Sequence, residues 1–343
     1  MRISYPAAIA LLVLILLASM IAGVGIGSVA IAPTDVITAV LHQIVPDLVA
    51  STGPEYVEAV VTNTRGPRVI LGAIVGAGLA TVGMVLQALV RNPLADPYLL
   101  GISSGASVGA VASILTGFAL FGAASTSVAA FVGAFAALLV VYFVARSGGR
   151  LTTVGLVLAG VAVAYVLSAL TSLMLLLADN AQHARQILSW LLGALGGATW
   201  SLWVPLVAVV VGLVALMANA RALNLLYAGE DAAIAMGLDV NRFRITMFVI
   251  TSLLTGLLVA VSGPIGFVGL ILPHAVRLVV GSDHRRALPA VALAGASFLV
   301  LADIAARTVA SPQEIPVGVF TALCGGPFFL WLVRRQTRRG VKS

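Results

Sequence analysis

Long runs without a charged residue limit what this chain can fold into. Every residue between Asp96 and Arg146 is uncharged. A helix that crosses a bilayer needs about 20 apolar residues, so this run has room for two spans, with a turn near residues 117–127. Charged side chains are costly in the hydrocarbon core, which explains why such runs lack them. The pattern predicts a polytopic helical membrane protein.

Composition supports the same fold class. The chain has 61% hydrophobic and 9% charged residues, whereas a soluble domain has about 25% charged residues. The 35 glycines suit helices that approach closely in lipid. A transmembrane β-barrel would show alternating segments of about ten residues, and these are absent. We therefore expect an all-α protein that forms one transmembrane domain over residues 1–343.

Ten membrane spans account for the apolar runs. A cleaved signal peptide is the alternative for the first run, but that run is longer than a usual signal core and follows only one basic residue. Between the spans, residues 33–64 and 179–199 are polar enough to lie outside the membrane. The predicted spans are 6–32, 69–90, two within 97–145, 152–178, 201–220, 245–261, 267–280, 288–307 and 317–333.

Basic residues predict the orientation. Ten crossings put both termini on one side, and 15 of the 19 Lys and Arg residues then fall on that side, including those of a tail over 334–343. The cytoplasmic side carries such an excess, so both termini are expected there. This distribution also explains the net charge of +7 without a nucleic-acid partner. Four arginines remain outside: Arg65, Arg68, Arg185 and Arg307.

Residues 221–244 form the longest hydrophilic stretch on the predicted cytoplasmic side. Leu225, Leu226, Ala228, Ala232, Ala233 and Met236 recur at helical spacing, which predicts a short amphipathic helix on the membrane surface. Glu230 and Asp231 suit its start and Gly237 its end. A plain hairpin between two spans needs only a few residues, so the length favours a docking surface.

No pattern in the chain predicts catalysis. The sequence contains no phosphate-binding GxxxxGK[ST] loop and no Cys and His residues at metal-ligand spacing. Cys324 stands alone in an apolar run and is expected to be a small buried side chain. The four histidines are widely separated, so we predict no metal site: His42, His183, His274 and His284.

Asp303 is the clearest ionisable residue within an apolar run. It precedes Arg307 by four residues, which places both side chains on one face of a helix and predicts an ion pair at its outer end. The alternative is a proton- or sodium-coupled carrier that uses this carboxylate. Such carriers need more carboxylates near the midplane than this chain has.

Three long segments carry a resemblance to a known family. They are RGPRVILGAIVGAGLATVGMVLQALVRNPLADPYLLGISSGAS at 65–107, GPIGFVGLILPHAVRLVVGSDHRRALP at 263–289 and LADIAARTVASPQEIPVGVFTALCGGPFF at 301–329. In this order they resemble the FecCD-type permeases of ATP-binding-cassette importers for iron siderophores, heme and vitamin B12. The resemblance extends over essentially the whole chain.

The resemblance implies a type II importer permease fold, with about ten helices in each subunit of a homodimer. It implies two cytoplasmic ATPase subunits that bind ATP and Mg, an external substrate-binding protein, and no cofactor in this chain. The chain itself is then not an enzyme. Residues 221–244 match the segment that couples to the ATPase, at Gly229, Glu230, Ala233 and Gly237.

By the same resemblance, Arg65, Arg68 and Arg307 match positions that receive acidic residues of the binding protein. A guanidinium suits that task because it holds a carboxylate through two charge-assisted hydrogen bonds. The alternative is that these side chains snorkel and anchor helix ends. Arg185 matches no such position.

The family's cytoplasmic gate matches Asn92, Leu94, Thr152 and Thr153. The alternative is that Asn92 caps a helix and that the threonines are ordinary turn residues. For the cargo, RNPLADPYLLGISSGAS resembles the iron-chelate and heme members more than the vitamin B12 members. We therefore expect an iron chelate or heme as cargo, with cobalamin as the alternative, and a location in the cell membrane.

Overall fold

The computed structural model describes residues 4–27, 31–45, 55–147, 150–178 and 180–340, and most of them are helical. In chain order the α-helices are α1 Tyr5–Gly25, α2 Pro33–Ile44, α3 Glu55–Ala59, α4 Gly66–Val90, α5 Ile102–Thr116, α6 Ser125–Ala145, α7 Thr153–Leu176, α8 Ala181–Leu191, α9 Trp203–Ala218, α10 Ala220–Ala228, α11 Glu230–Ala235, α12 Val240–Ser262, α13 Val268–Val280, α14 His284–Thr308 and α15 Val317–Gly340.

Short elements complete the described chain. A π-helical segment, Val60–Arg65, leads into α4, and 3-10 turns cover Pro97–Leu100 and Gly122–Ala124. The predicted basic turn is a two-residue antiparallel ladder between β1 Arg146–Ser147 and β2 Arg150–Leu151. Gly148 and Gly149 of that turn lie outside the described residues, as do Pro46, Asp47, Pro54 and Asp179 of the predicted outer segments.

The helices account for the ten predicted spans. Within the described ranges, six stretches are long and apolar enough to cross a membrane, and α9 with α10 forms a seventh that bends by 56°. Three shorter apolar helices supply the others, namely α5, α13 and the first part of α15. The prediction of an all-α polytopic membrane protein with about ten spans is confirmed.

Helix α4 lies at the centre of the bundle. It contacts α14, α13, α12, α9 and α1. In the most apolar stretch of this span, 83% of the residues are buried. Glycine permits the closest of these contacts, because a Cβ atom on Gly76 would overlap the carbonyl of Gly295 and one on Gly83 would overlap the backbone of Gly269. Such close approach replaces the hydrophobic effect as the source of attraction between helices in lipid.

Two predicted span boundaries shift because of helix caps that we did not anticipate. Asp239 accepts a hydrogen bond from the Arg242 amide at 3.0 Å, so α12 begins five residues before the predicted start of its span. Asp283 accepts one from the Arg285 amide at 3.0 Å, which moves the start of α14 to His284. An aspartate at such a position satisfies amides that have no partner within the helix.

The prediction of a single amphipathic helix within 221–244 is wrong. Two helices, α10 and α11, divide the apolar repeat, because Gly229 between them has φ 151° and ψ 148°. Only glycine readily adopts this backbone conformation. The predicted start at Glu230 is confirmed, and the helix ends at Ala235, two residues before Gly237.

The two ends of the bundle carry different sets of polar contacts. Helices α4 and α14 are antiparallel, so the start of α4 and the end of α14 share one end, where Arg68 contacts Asp303. Helix α10 contacts the start of α14 at the other end. A 25-residue helix such as α4 is about 37 Å long, which is the separation between the two ends.

Candidate functional site

A buried carboxylate organises the charged residues at the first end. Asp303 is 2% exposed and accepts hydrogen bonds from Arg68 Nε at 3.1 Å and Arg68 Nη2 at 2.9 Å. Arg307 Nε lies 3.1 Å from Asp303 Oδ2. The predicted pair between Asp303 and Arg307 is therefore confirmed, and Arg68, from a distant part of the sequence, shares the carboxylate.

The end of α1 supplies further acceptors to the arginines. Arg65 Nη1 donates to the carbonyls of Val24 at 2.9 Å and Gly25 at 3.0 Å. Arg307 Nη2 donates to the carbonyl of Gly23 at 2.9 Å. The last carbonyls of a helix have no partner within that helix, so the two arginines cap α1. No sequence signal pointed to this role.

Glu314 is the surface member of this group, which we call the arginine cluster: Arg65, Arg68, Asp303, Arg307 and Glu314. Its Oε2 lies 2.7 Å from Arg68 Nη1, and its side chain is 50% exposed. The three arginines are each less than 10% exposed. Glu314 lies in the loop between α14 and α15, and sequence reasoning missed it. The burial of the three arginines does not fit the alternative that their side chains snorkel to the membrane surface.

The arginine cluster therefore has a net charge of +1, and only Glu314 among its five members is accessible to a partner. The Glu314 carboxylate accepts a hydrogen bond from Arg68 Nη1 at 2.7 Å, so the Arg68 guanidinium lies directly behind it. The predicted docking of a binding protein on Arg65, Arg68 and Arg307 remains a prediction. Arg185 lies apart from the cluster, exposed on α8, and donates to the carbonyl of Ala181 at 3.2 Å.

Helices α10 and α11 form the candidate site at the second end. Glu230, the first residue of α11, forms an ion pair of 3.0 Å with Arg244 of α12. Ala233 is fully buried and Gly229 is half-buried. Gly237 has φ 83°, and a Cβ atom there would meet no atom within 4 Å. Ala233 packs into the core beneath α11, and coupling to an ATPase at Gly229, Glu230, Ala233 and Gly237 remains a prediction.

Apolar side chains project from this end into the surroundings. Met236 is 71% exposed, Ile234 is 56% exposed and Tyr227 is 42% exposed. Contiguous exposed apolar residues on a protein mark an interaction surface. The sequence analysis placed Met236 among the apolar residues of a surface amphipathic helix and did not single out Ile234 or Tyr227. The interruption at Gly229 changes the direction in which the side chains of α11 point relative to those of α10. A repeat that is read as one continuous helix does not predict that change.

Hydrogen bonds fasten α10 to the start of α14. Asn224 Nδ2 donates to Asp283 Oδ1 at 2.7 Å, and the amide of His284 donates to Asn224 Oδ1 at 2.9 Å. The hydrogen bond from Asn224 holds the pKa of Asp283 below its ordinary value. Helix α14 thus connects the two candidate sites, because its other end carries Asp303 and Arg307.

The predicted gate residues lie in two turns at the second end. Asn92 is exposed, and its Oδ1 accepts a hydrogen bond from the amide of Leu94 at 2.9 Å; Leu94 is half-buried. Thr152 caps α7 by accepting a hydrogen bond from the amide of Gly155 at 3.1 Å, and Thr153 is the first residue of α7. The alternative expected a helix cap at Asn92 and ordinary turn threonines, whereas Asn92 closes a turn and Thr152 is the residue that caps a helix. A gate at these residues remains a prediction.

The described part of the chain offers no group of three or more His, Cys, Asp or Glu side chains that could hold a metal ion. His284 is fully buried, and its Nδ1 lies 2.7 Å from Asn224 Oδ1. Cys324 is exposed, which corrects the expectation that it is buried.

Comparison with known proteins agrees with this architecture. The FecCD transport family matches residues 12–335. The cobalamin import system permease protein BtuC of Halobacterium salinarum is 47% identical over 290 residues, which cover 84% of this chain and 77% of that protein. The hemin transport system permease protein HmuU of Yersinia pestis is 42% identical over 279 residues, which cover 80% and 83%.

A solved structure shares the fold over nearly its full length. It is described as an inward-facing conformation of a metal-chelate type ABC transporter, and it superposes with a TM-score of 0.81. The alignment covers 96% of this chain and 99% of the other, at 32% sequence identity.

Proposed function

Since the chain belongs to the FecCD transport family, and is thus a multi-pass permease subunit of an ATP-binding-cassette importer, we propose that it carries an iron chelate or heme into the cell. The family match over residues 12–335 is the observation that carries this proposal. A siderophore complex and heme are the first candidates, because the motif at 91–107 resembles that of iron-chelate and heme members.

Cobalamin is the second candidate cargo. The Halobacterium salinarum relative named for cobalamin import has 47% identity to this chain, compared with 42% for the Yersinia pestis relative named for hemin transport. All of these cargoes are bulky metal chelates. A permease that passes such molecules needs a wide path, which we propose lies between two copies of the chain.

We propose that ATPase subunits supply the energy at the second end. Exposed Ile234 and Met236 next to Glu230 and Gly237 are suited to docking on a soluble protein. ATP and Mg then bind to the ATPase, and this chain requires no cofactor. Movement of α10 and α11 would act on α14 through Asn224 and Asp283, so that the gate at Asn92, Leu94, Thr152 and Thr153 opens and closes.

We propose that the first end receives the external binding protein. Arg68 is the cation of the arginine cluster that reaches nearest to the surface, because its Nη1 pairs with the half-exposed Glu314 carboxylate. An acidic side chain of the binding protein would replace Glu314 there, while Arg65 and Arg307 add positive potential behind it. This assignment puts the first end outside the cell and both termini in the cytoplasm.

Uptake by proteoliposomes tests the cargo. The chain, its ATPase and its binding protein are reconstituted, and uptake of heme, a ferric siderophore and cobalamin is compared at equal concentration. Preferential uptake of heme or the ferric siderophore supports the first proposal, and preferential uptake of cobalamin supports the second. Uptake of none of the three, with an intact ATPase complex, contradicts both.

A further inference from the structure

A polar cavity of about 320 Å³ lies at the second end, where α4, α10 and α13 finish. It is separate from the exposed residues Ile234 and Met236. The residues that line it are Gln87, Arg91, Pro93, Tyr227 and Arg277.

The cavity holds two arginines without a carboxylate partner. Within the described ranges, neither Arg91 nor Arg277 forms a salt bridge. Arg277 is half-buried, and its strongest bond joins Nη1 to the neutral amide oxygen Oε1 of Gln87 at 2.6 Å. A partly buried cation with only neutral partners has lost hydration that no counter-charge replaces. The cavity therefore favours an anion.

The backbone at Arg91 points the same way. Arg91 follows the last residue of α4 in the left-handed conformation, with φ 53°, a position where glycine is the usual residue. Residues held in such a strained conformation are concentrated at functional sites. The C-terminal end of a helix carries a partial negative charge and attracts cations. That partial charge is too small to neutralise two guanidinium groups.

Tyr227 adds an oriented hydroxyl group. Its ring is held between the Arg277 guanidinium, whose Cζ lies 5.7 Å from the ring centroid, and the His284 ring at 5.8 Å. Its hydroxyl forms no hydrogen bond to any residue that the structure describes. Two guanidinium groups and one hydroxyl form a set of donors that suits the oxygen atoms of a phosphate group.

We propose that this cavity binds the phosphate group of an anionic phospholipid. Leu278 and Val279, the two residues that follow Arg277 in α13, are 71% and 57% exposed and offer apolar surface at the same end of α13 for acyl chains. Basic pockets between helices at the cytoplasmic side of a membrane bind such headgroups. The assignment of the cavity to the cytoplasmic leaflet rests on the orientation proposed above. The arrangement of hydrogen-bond donors in the cavity does not depend on that orientation.

Native mass spectrometry of the full-length chain tests this proposal. The chain is purified in a maltoside detergent and incubated with equal amounts of phosphatidylglycerol and phosphatidylcholine, with and without excess inorganic phosphate. The variants are Arg91→Gln, which removes an exposed cation, and Tyr227→Phe, which removes only the hydroxyl. Arg221→Gln is the matched control, because Arg221 is an exposed arginine of α10 that does not line the cavity.

We expect phosphatidylglycerol to be retained about tenfold more than phosphatidylcholine, and Arg91→Gln to lower this retention about tenfold, as loss of one charge-assisted contact predicts. Tyr227→Phe should lower it about threefold, and Arg221→Gln should leave it unchanged. Displacement of phosphatidylglycerol by excess inorganic phosphate would support the phosphate group as the part of the lipid that the cavity binds. Equal retention in all four proteins, or no preference for phosphatidylglycerol, would overturn the proposal.

Discussion

The guanidinium group of Arg68 on α4 donates hydrogen bonds to both carboxylate oxygens of Asp303 on α14, at 2.9–3.1 Å, although the two residues are 235 positions apart. Arg307 contacts the same carboxylate from the next turn of α14. Asp303 therefore pairs with two buried cations and joins α4 to α14, two helices in extensive contact.

Removing the Asp303 charge tests this relationship. Asp303→Asn leaves Arg68 and Arg307 buried with too little negative charge, and breaking a buried pair in this way costs about 3 kcal/mol of the free energy of unfolding. We expect a clearly lower thermal unfolding midpoint in detergent. Asp35→Asn, at an exposed position of α2, is the control and should unfold like the wild type. An unchanged midpoint for Asp303→Asn contradicts a stabilising role.

Glu314 offers a direct test of docking at the arginine cluster. Glu314→Gln removes the negative charge that covers Arg68, so an acidic binding protein should associate several-fold faster at low ionic strength. Salt should reduce this gain, because the charges are then screened. Biolayer interferometry with the immobilised chain measures both effects. Glu58→Gln, outside the cluster, is the control, and slower association with Glu314→Gln would argue against docking on Arg68.

Gly237→Val tests the coupling role of the short helices. A β-branched residue at φ 83° is strained by about 1–3 kcal/mol, although the surrounding space is open. We expect normal expression but reduced uptake for each ATP hydrolysed. Gly117→Val is the matched control, because Gly117 has φ 64° and equally open surroundings but lies outside the short helices. Equal uptake by both variants would remove Gly237 from the coupling segment.

The exposed residues of α11 and its end predict where the ATPase binds. Met236→Asp and Ile234→Asp place a charge where an apolar contact is expected, and loss of a central interface residue costs about 2 kcal/mol or more, or over tenfold in affinity. We expect the ATPase to be lost from co-purification. Leu120→Asp, at a 76% exposed position in the loop between α5 and α6, should retain it. Retention of the ATPase by all three variants places its interface elsewhere.

Hydropathy made the helices predictable, because a span of about 20 apolar residues is a local property of the sequence. The pair between Asp303 and Arg307 was predictable for the same reason, since four residues make one helical turn. Both depend only on neighbours along the chain.

Contacts between distant segments were not predictable in this way. Nothing near Arg68 indicates Asp303 or Glu314, and nothing near Arg65 indicates the carbonyls at the end of α1. The break at Gly229 was missed because a glycine inside an apolar repeat is also tolerated within a helix. The cavity between Arg91 and Arg277 depends on three helix ends that meet only in the folded chain.

A charge reversal of Arg65, Arg68 and Arg307 would be a poor test of docking. All three side chains are buried, so three glutamates there would disrupt the fold. A loss of binding would then report unfolding and not the loss of a docking contact. The structure directs the test to Glu314 instead, which is half-exposed.

The central claim is that this chain provides a path through the membrane and that its energy comes from a separate ATPase. Uptake of the preferred metal chelate into proteoliposomes, with and without the ATPase, ATP and the binding protein, tests that claim most directly. We predict uptake only when all three are present, and none with the chain alone under a proton or sodium gradient. Gradient-driven uptake by the chain alone would contradict the account.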